Sequence, residues 1–280
     1  MREYQFIKYE GCGNDYIYID CFGYEPPDEE KSRIAVKLSD RHFGVGGDGV
    51  VFICRSDKAD GFMRMFNADG SEGKMCGNAI RCVGKYLYDK RGVKKEEVTV
   101  ETLSGVKTLK LFVLNGAVTS ARVDMGAPVL SPEKIPALFT GERTVGKKVI
   151  LDKERVITLV SMGNPHCVIF TEGVNDMNIE TPGKAIENHK LFPDRINTEF
   201  VEVISSDKAV MRVWERGSGE TLACGTGACA AAVAMVLNGI AEKGKDITIE
   251  LRGGRLVINY DKTVYMTGPA TEVFTGSVKI

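Results

Sequence analysis

MRMFNADGSEGKMCGN, residues 63–78, and MRVWERGSGETLACGT, residues 211–226, align without a gap at a separation of 148 residues. Met-Arg opens both, Glu72 falls over Glu220, Phe66 over Trp214, and Cys76-Gly77 over Cys224-Gly225. A second echo lies upstream of each: Gly13-Asn14 and Gly163-Asn164, 150 residues apart, each followed by alternating apolar residues. Two echoes in one order and at nearly one spacing read as a duplicated chain.

The sequence around the echoes predicts the same elements twice. Tyr16–Asp20, Val50–Cys54, Gly61–Phe66 and Val98–Glu101 in the first copy are short, β-rich and bounded by Gly, Asp or Asn, as strands are. Val156–Val160, Cys167–Phe170, Phe200–Ile204 and Val210–Trp214 repeat the pattern, and Ile247–Leu251, Leu256–Tyr260 and Val264–Thr267 continue it. A helix follows each Cys-Gly. From Asn78 the apolar residues fall at 79, 80, 82, 83, 86 and 87, a helical stripe. After Thr226, GACAAAVAMVLNG is apolar nearly all round and closes at Gly239. A helix with no polar face must be enclosed on every side. The expected fold is therefore α+β: two pseudo-symmetric halves, each a curved mixed or antiparallel sheet or barrel around a central helix, with the active site at the seam. The first domain is expected over residues 1–122, open to completion by a strand in 270–280, and the second over 123–269. The Pro-rich stretch Val123–Pro136 is the expected connection.

Composition narrows the function. With 37 Lys and Arg against 38 Asp and Glu the net charge is −1, and no long basic run points to a nucleic acid or a membrane surface. The first residues lack the apolar run of a secretory signal and no window approaches a membrane span, so a cytoplasmic location is expected. Eight cysteines in 280 residues are too sparse for a disulfide scaffold. Three scattered histidines, His42, His166 and His189, and no Cys-x-x-Cys pair leave no expected metal site. The expected partner is a small molecule.

Cys76 and Cys224 each precede a helix. There the first backbone N–H groups are unpaired and the helix dipole is positive, so a thiolate is expected to be stabilised and its pKa lowered. The same N–H groups can seat a carboxylate, and Gly77 and Gly225 put no side chain in its way. One such turn could equally be a nucleophile, a redox thiol or plain structure. Two at matching positions suit inversion of a stereocentre, in which one thiol removes an α-proton and the other delivers a proton to the opposite face. The other six cysteines read as core: Cys82 and Cys229 inside the helices, Cys12, Cys21, Cys54 and Cys167 beside apolar strands or turns.

Taken together, Gly13-Asn14-Asp15, FNADGSE…MCGN-x-x-RC from Phe66 to Cys82, GNPH from Gly163 to His166, INTEFV from Ile196 to Val201 and ERGSGET-x-ACGTG from Glu215 to Gly227 resemble the diaminopimelate epimerases along essentially the whole chain. That resemblance implies interconversion of LL- and meso-2,6-diaminopimelate on the route to lysine and peptidoglycan, without pyridoxal phosphate or metal, by a homodimer. It implies Cys76 and Cys224 as the acid/base pair. Asn14, Asn67, Asn164, Asn197 and Arg216 would bind substrate, with Gly77-Asn78 and Gly225-Thr226 around the reacting carboxylate. His166 and Glu215 would tune the thiols, Glu215 lying beside the substrate as well. Four amides that donate and accept, plus one guanidinium fork, suit a molecule with two amino and two carboxylate groups. Taken singly, Asn14, Asn67 and Asn164 are equally turn formers, and Glu215-Arg216 a surface pair. The chain departs from the family at Gly49, where many members carry Gln; Gly49 falls opposite Asn197 of the second copy.

Gly44-Val-Gly-Gly-Asp-Gly49 matches G-x-G-x-x-G, but a dinucleotide site needs a strand before it and a helix after it, and strand-like VVFIC follows instead. Proline and hydroxyproline racemases share the two-thiol logic but resemble MCGHG where this chain has Met75-Cys-Gly-Asn78. A one-thiol hydrolase or a silent binding protein would leave the duplication of the cysteine unexplained.

Overall fold

In the computed structural model, which describes residues 2–280, the chain divides into two compact units. One comprises the residues up to Val123 together with Thr267–Ile280, the other Asp124–Met266. In chain order come β1 (Glu3–Gly11), β2 (Asn14–Asp20), α1 (Asp28–Ser39), β3 (Gly49–Cys54), β4 (Gly61–Asn67), β5 (Glu72–Gly73), α2 (Gly77–Asp89), β6 (Glu97–Thr102), β7 (Gly105–Leu114) and β8 (Ala117–Gly126). The second unit continues with β9 (Lys147–Ile150), β10 (Glu154–Ser161), β11 (Pro165–Phe170), α3 (Glu180–Glu187), β12 (Asn197–Ser205), β13 (Lys208–Glu215), β14 (Gly219–Thr221), α4 (Gly225–Leu237), β15 (Asp246–Leu251), β16 (Gly254–Tyr260) and the first half of β17 (Val264–Pro269), whose last three residues belong to the first unit. Last comes β18 (Thr271–Lys279), in the first unit.

Within each unit the strands pair in the same mixed topology. In the first, β1 pairs antiparallel with β2, β2 parallel with β3, β3 antiparallel with β4, β4 parallel with β6, and β6 antiparallel with β7. In the second, β10, β11, β12, β13, β15 and β16 pair in that same sequence of senses. The outer neighbour of β1 is β18 and that of β10 is β9, both antiparallel. The duplication read from two short echoes is thus a duplication of the sheets. It also fixes residue equivalences, because Tyr16 faces Gly49 across β2–β3 and His166 faces Asn197 across β11–β12.

α1 and α3 are the crossovers that a parallel pair requires, and neither stands out by periodicity. α1 is signalled instead by its ends: Pro27 before it, and Asp28, Glu29 and Glu30 in a first turn whose dipole favours acids. Its Ile34, Ala35 and Leu38 close a core with Ile17, Ile19, Val50, Phe52 and Cys54. Ile179 and Ile186 beside α3 join Ile157, Leu159, Ile169, Phe192 and Phe200 in the same way. With α1 on one face and α2 on the other, all six residues of β3 are buried, and its run GVVFIC shows no alternation for that reason.

α2 and α4 are the enclosed helices. α2 lies against β1, β2, β4, β6 and β7, and α4 against β10, β11, β12, β13, β15 and β16. Every α2 residue from Gly77 to Leu87 is buried, Arg81 and Lys85 included. Their charged heads are met internally: Arg81 Nη1 donates to Gly77 O at 3.0 Å, and Lys85 Nζ to Asp89 at 2.7 Å and Val118 O at 2.6 Å. α4 uses small side chains instead, with Ala228, Ala230, Ala231, Ala232 and Ala234 all inaccessible to solvent.

β18 completes the first sheet from Glu3↔Lys279 to Glu10↔Thr271. A chain ended after Ala270 leaves β1 an unpaired edge. By hydrogen exchange, β1 and β2 are expected to lose protection while α4 keeps its own; full protection of β1 in the truncated chain would refute this role for β18.

Candidate active site

In the first unit a tight turn at Cys12 and Gly13, with φ of 57° and 78°, sets Asn14 at the start of β2. Cys76 caps α2: its Sγ accepts from the Ala79 N–H at 3.5 Å, and its thiol donates to Asn14 Oδ1 at 3.4 Å. The other end of the Asn14 amide is fixed, since Nδ2 donates to Asp48 Oδ2 at 2.6 Å. A carboxylate only accepts, so Asp48 obliges the amide to turn its oxygen toward Cys76. Asp48 also accepts from the Asp15 N–H at 3.1 Å, and Arg41 bridges Asp15 and Asp48 at 2.7 and 3.0 Å. This support is absent from the sequence reading, although Asp15 and Asp48 both stand inside motifs it singles out. Asn78 is buried as the second residue of α2. Asn67, at the end of β4, donates from Nδ2 to Ser71 Oγ at 3.0 Å within its own turn.

The second unit places Cys224 in the same role. It caps α4, its Sγ accepting from the Gly227 N–H at 3.3 Å with the Thr226 hydroxyl at 3.4 Å. His166 is fully buried, its Nδ1 2.6 Å from Glu199 Oε1 and its Nε2 3.0 Å from Asn164 Oδ1. Asn197 braces the backbone: Nδ2 donates to Pro165 O and Oδ1 accepts from the Arg216 N–H, both at 2.8 Å. Glu215 and Arg216 are not a surface pair. Glu215 accepts from the Thr221 hydroxyl at 2.5 Å, and Arg216 Nη1 donates to Asp194 O at 2.8 Å. Glu199 is the residue that sequence reasoning misses. It lies inside INTEFV, where a lone acid in an apolar strand was the available signal.

The electrostatics of Cys224 reverse the expectation from its helix end. Burial, and then the charges of Glu215 and Glu199, hold its thiol well above the ordinary cysteine range; the Thr226 hydroxyl and the Gly227 N–H oppose them and are outweighed. A thiol sealed from water with two carboxylates nearby keeps its proton despite the dipole. Glu215 is itself raised, by burial first, with the Thr221 hydroxyl and His166 opposing. Cys82 is pushed up to about 12 by burial, and Cys12 and Cys167 are raised for the same reason, as befits core thiols.

The Gly44–Gly49 segment follows α1 and precedes β3, the reverse of a dinucleotide turn. A Cβ on Gly44 would stand 2.4 Å from Lys37 O, so glycine there lets the loop close on the end of α1. At Gly49 a Cβ would stand 2.1 Å from Phe66 O and 2.7 Å from the Tyr16 ring. The polar residue of the family is therefore replaced by ring and backbone, leaving no space at that position. Among the described residues, no group of three or more His, Cys, Asp or Glu could hold a metal ion.

The architecture recurs in solved structures. A hydroxyproline epimerase from Agrobacterium vitis superimposes with a TM-score of 0.70 at 12% identity, over 99% of this chain and 91% of that one. A likeness at that identity is one of fold, and it sets the chain in the two-domain α+β class that includes this epimerase. Residues 6–131 and 158–273 match the model of the diaminopimelate epimerases. The chain is 52% identical over 280 residues to the diaminopimelate epimerase of Acetivibrio thermocellus, covering 99% of both. It is 53% identical over 286 residues to that of Desulfovibrio desulfuricans, covering 99% of this chain and 98% of the relative. The chain belongs to the diaminopimelate epimerase family.

Two outcomes follow from this geometry. Cys76 is partly exposed and Cys224 buried, so iodoacetamide at about pH 8.5, where a free thiol is half ionised, is expected to modify Cys76 first. The Cys224 rate should rise only at higher pH, because its proton is held more tightly. Peptide mass spectrometry reads both, and equal rates would contradict the assignment. Gly49→Ala is expected to cost about 1–3 kcal/mol from overpacking, seen as a lower urea midpoint with an unchanged slope.

Proposed function

We propose that this chain interconverts LL- and meso-2,6-diaminopimelate by moving one α-proton between Cys76 and Cys224, with no cofactor or metal. The observation that carries the reading is the recurrence of a cysteine N-cap at equivalent positions of two duplicated units, in a chain about half identical to diaminopimelate epimerases over its full length. Removing the α-proton puts charge into the adjacent carboxylate. The N–H groups that open α2 and α4, at Gly77-Asn78 and Gly225-Thr226, are suited to holding that charge; one such donor is worth about 100- to 1,000-fold in rate. Each sulfur accepts from the N–H of the residue just after them, Ala79 or Gly227, so within each unit a thiol adjoins the proposed carboxylate seat.

The raised Cys224 is the proton-bearing partner of the resting enzyme, which assigns Cys76 the first abstraction. After that transfer Cys76 holds a proton and Cys224 is the thiolate, so the return direction uses them in exchanged roles. Burial first, and then the charges of Glu215 and Glu199, hold the resting proton on Cys224. Asn14, Asn67, Asn164, Asn197 and the Arg216 fork would recognise the amino and carboxylate groups, with His166 holding Asn164. The proposal includes a cytoplasmic homodimer supplying a lysine and peptidoglycan precursor, supported by the family resemblance. No helix among the described residues is long and apolar enough to cross a membrane.

Incubation with LL-diaminopimelate in D₂O, with EDTA and a reductant present, tests the reading by NMR of the α-protons. Deuterium is expected at the α-carbon of the meso product. Cys76→Ala and Cys224→Ala should each reduce turnover by at least about 100-fold, the range for a general acid or base. Exchange with proline instead would move the activity to a proline racemase. Exchange with neither, from folded and reduced protein, would end the enzyme claim.

A further inference from the structure

The duplication supplies an internal control. The register makes Tyr16 the counterpart of His166, and Val51 that of Glu199. The matching helix caps make Ala79 the counterpart of Gly227, whose N–H groups donate to Cys76 and Cys224 respectively. At all three positions the second unit has changed in a concerted way. An apolar valine has become a carboxylate, its neighbour a histidine, and the helix residue above them has lost its Cβ. That loss is what admits the acid, since a Cβ on Gly227 would stand 2.8 Å from Glu199 Oε1. Folding alone needs none of these changes, because the first unit builds the same sheet and helix with Tyr, Val and Ala.

A fully buried carboxylate is costly unless paired. Glu199 is wholly inaccessible, its Oε1 2.6 Å from His166 Nδ1, while Oε2 accepts from no protein group. The ring is held at both nitrogens, since Asn164 Oδ1 is 3.0 Å from Nε2. With its oxygen engaged, the Asn164 amide is held in one of its two flips.

We propose that Glu199 is a positioning residue for the epimerisation: its buried carboxylate fixes the His166 ring and, through that ring, the orientation of the Asn164 amide that meets substrate. The proposal deepens the epimerase reading and rests on it. Glu199 also acts as a fixed charge. The titratable groups facing it are His166 and Cys167 on β11, Glu215 on β13 and Cys224 at the cap of α4, and its charge raises Cys167, Glu215 and Cys224.

The test compares wild type with Glu199→Gln and Glu199→Asp, after thermal melts establish that each is folded. In protein labelled with ¹⁵N-histidine, the wild-type His166 ring is expected to give a distinct Nδ1 signal from its contact with Glu199. Glu199→Gln should shift that signal, and Glu199→Asp should restore it at least in part. With diaminopimelate, Glu199→Gln should raise KM and lower kcat/KM by roughly 10- to 100-fold, the cost of a misplaced contact, and Glu199→Asp should recover part of the loss. Removing a charge that raises Cys224 should also move the alkaline limb of kcat/KM to lower pH, a shift that a merely structural residue would not cause. Unchanged His166 signals, or an unchanged pH profile and KM in folded Glu199→Gln, would overturn the proposal. Absence of α-proton exchange in the wild type would instead defeat the epimerase reading and the catalytic role with it. The nitrogen signals would still report separately whether Glu199 fixes the ring.

Discussion

Backbone N–H groups at the start of a helix need acceptors, and in α2 and α4 the helix that carries them is wholly enclosed by a sheet. Enclosure and capping together set the rest of the structure. An enclosed helix cannot hand its first N–H groups to bulk water, so something within the fold must take them. In both units a cysteine sulfur accepts one of these hydrogens, from Ala79 and from Gly227. The same arrangement that solves a folding problem sets a thiol at the mouth of each helix. The crossovers α1 and α3, the two-sided burial of β3 and the small residues of α4 all follow from keeping a sheet closed around that helix.

The two units share this frame and differ in what surrounds the sulfur. Around Cys76 the supporting charges are mutually compensated, Asp15 and Asp48 against Lys8 and Arg41, and the thiol meets a neutral amide. Around Cys224 the charges are buried and mostly of one sign, so the proton stays on sulfur. A symmetric scaffold thereby presents two thiols that are chemically unlike before any substrate arrives.

Periodicity and turn residues made the duplication, the sheet-and-helix class and the two capping cysteines legible, because each is local along the chain. α1 and α3 were not, since their apolar faces are short and their justification is a parallel strand pair separated in sequence. The helix-end argument for a lowered thiol pKa failed at Cys224 for a related reason. A dipole is visible in the order of residues, whereas burial and the approach of Glu199 and Glu215 are products of packing. Asn197 illustrates a third limit: its motif marks it for attention, but that its amide braces Pro165 O and the Arg216 N–H is a product of packing. Glu199 became visible only when the two halves could be overlaid by register.

The return of β18 to pair with β1 bears on the order in which the molecule is made. Synthesis runs from β1 onward, and residues 271–279 emerge only after the whole second unit has been translated. The first unit to be synthesised is therefore the last to close, and its β1 edge stays open while the ribosome works through the intervening residues. Open edges invite pairing with foreign strands. β1 alternates exposed polar with buried aromatic residues at its start, Glu3 and Gln5 against Tyr4 and Phe6, and α1 can shield one face early. Closure of the first sheet edge thus waits on β18, while residues 124–266 of the second unit are all made beforehand.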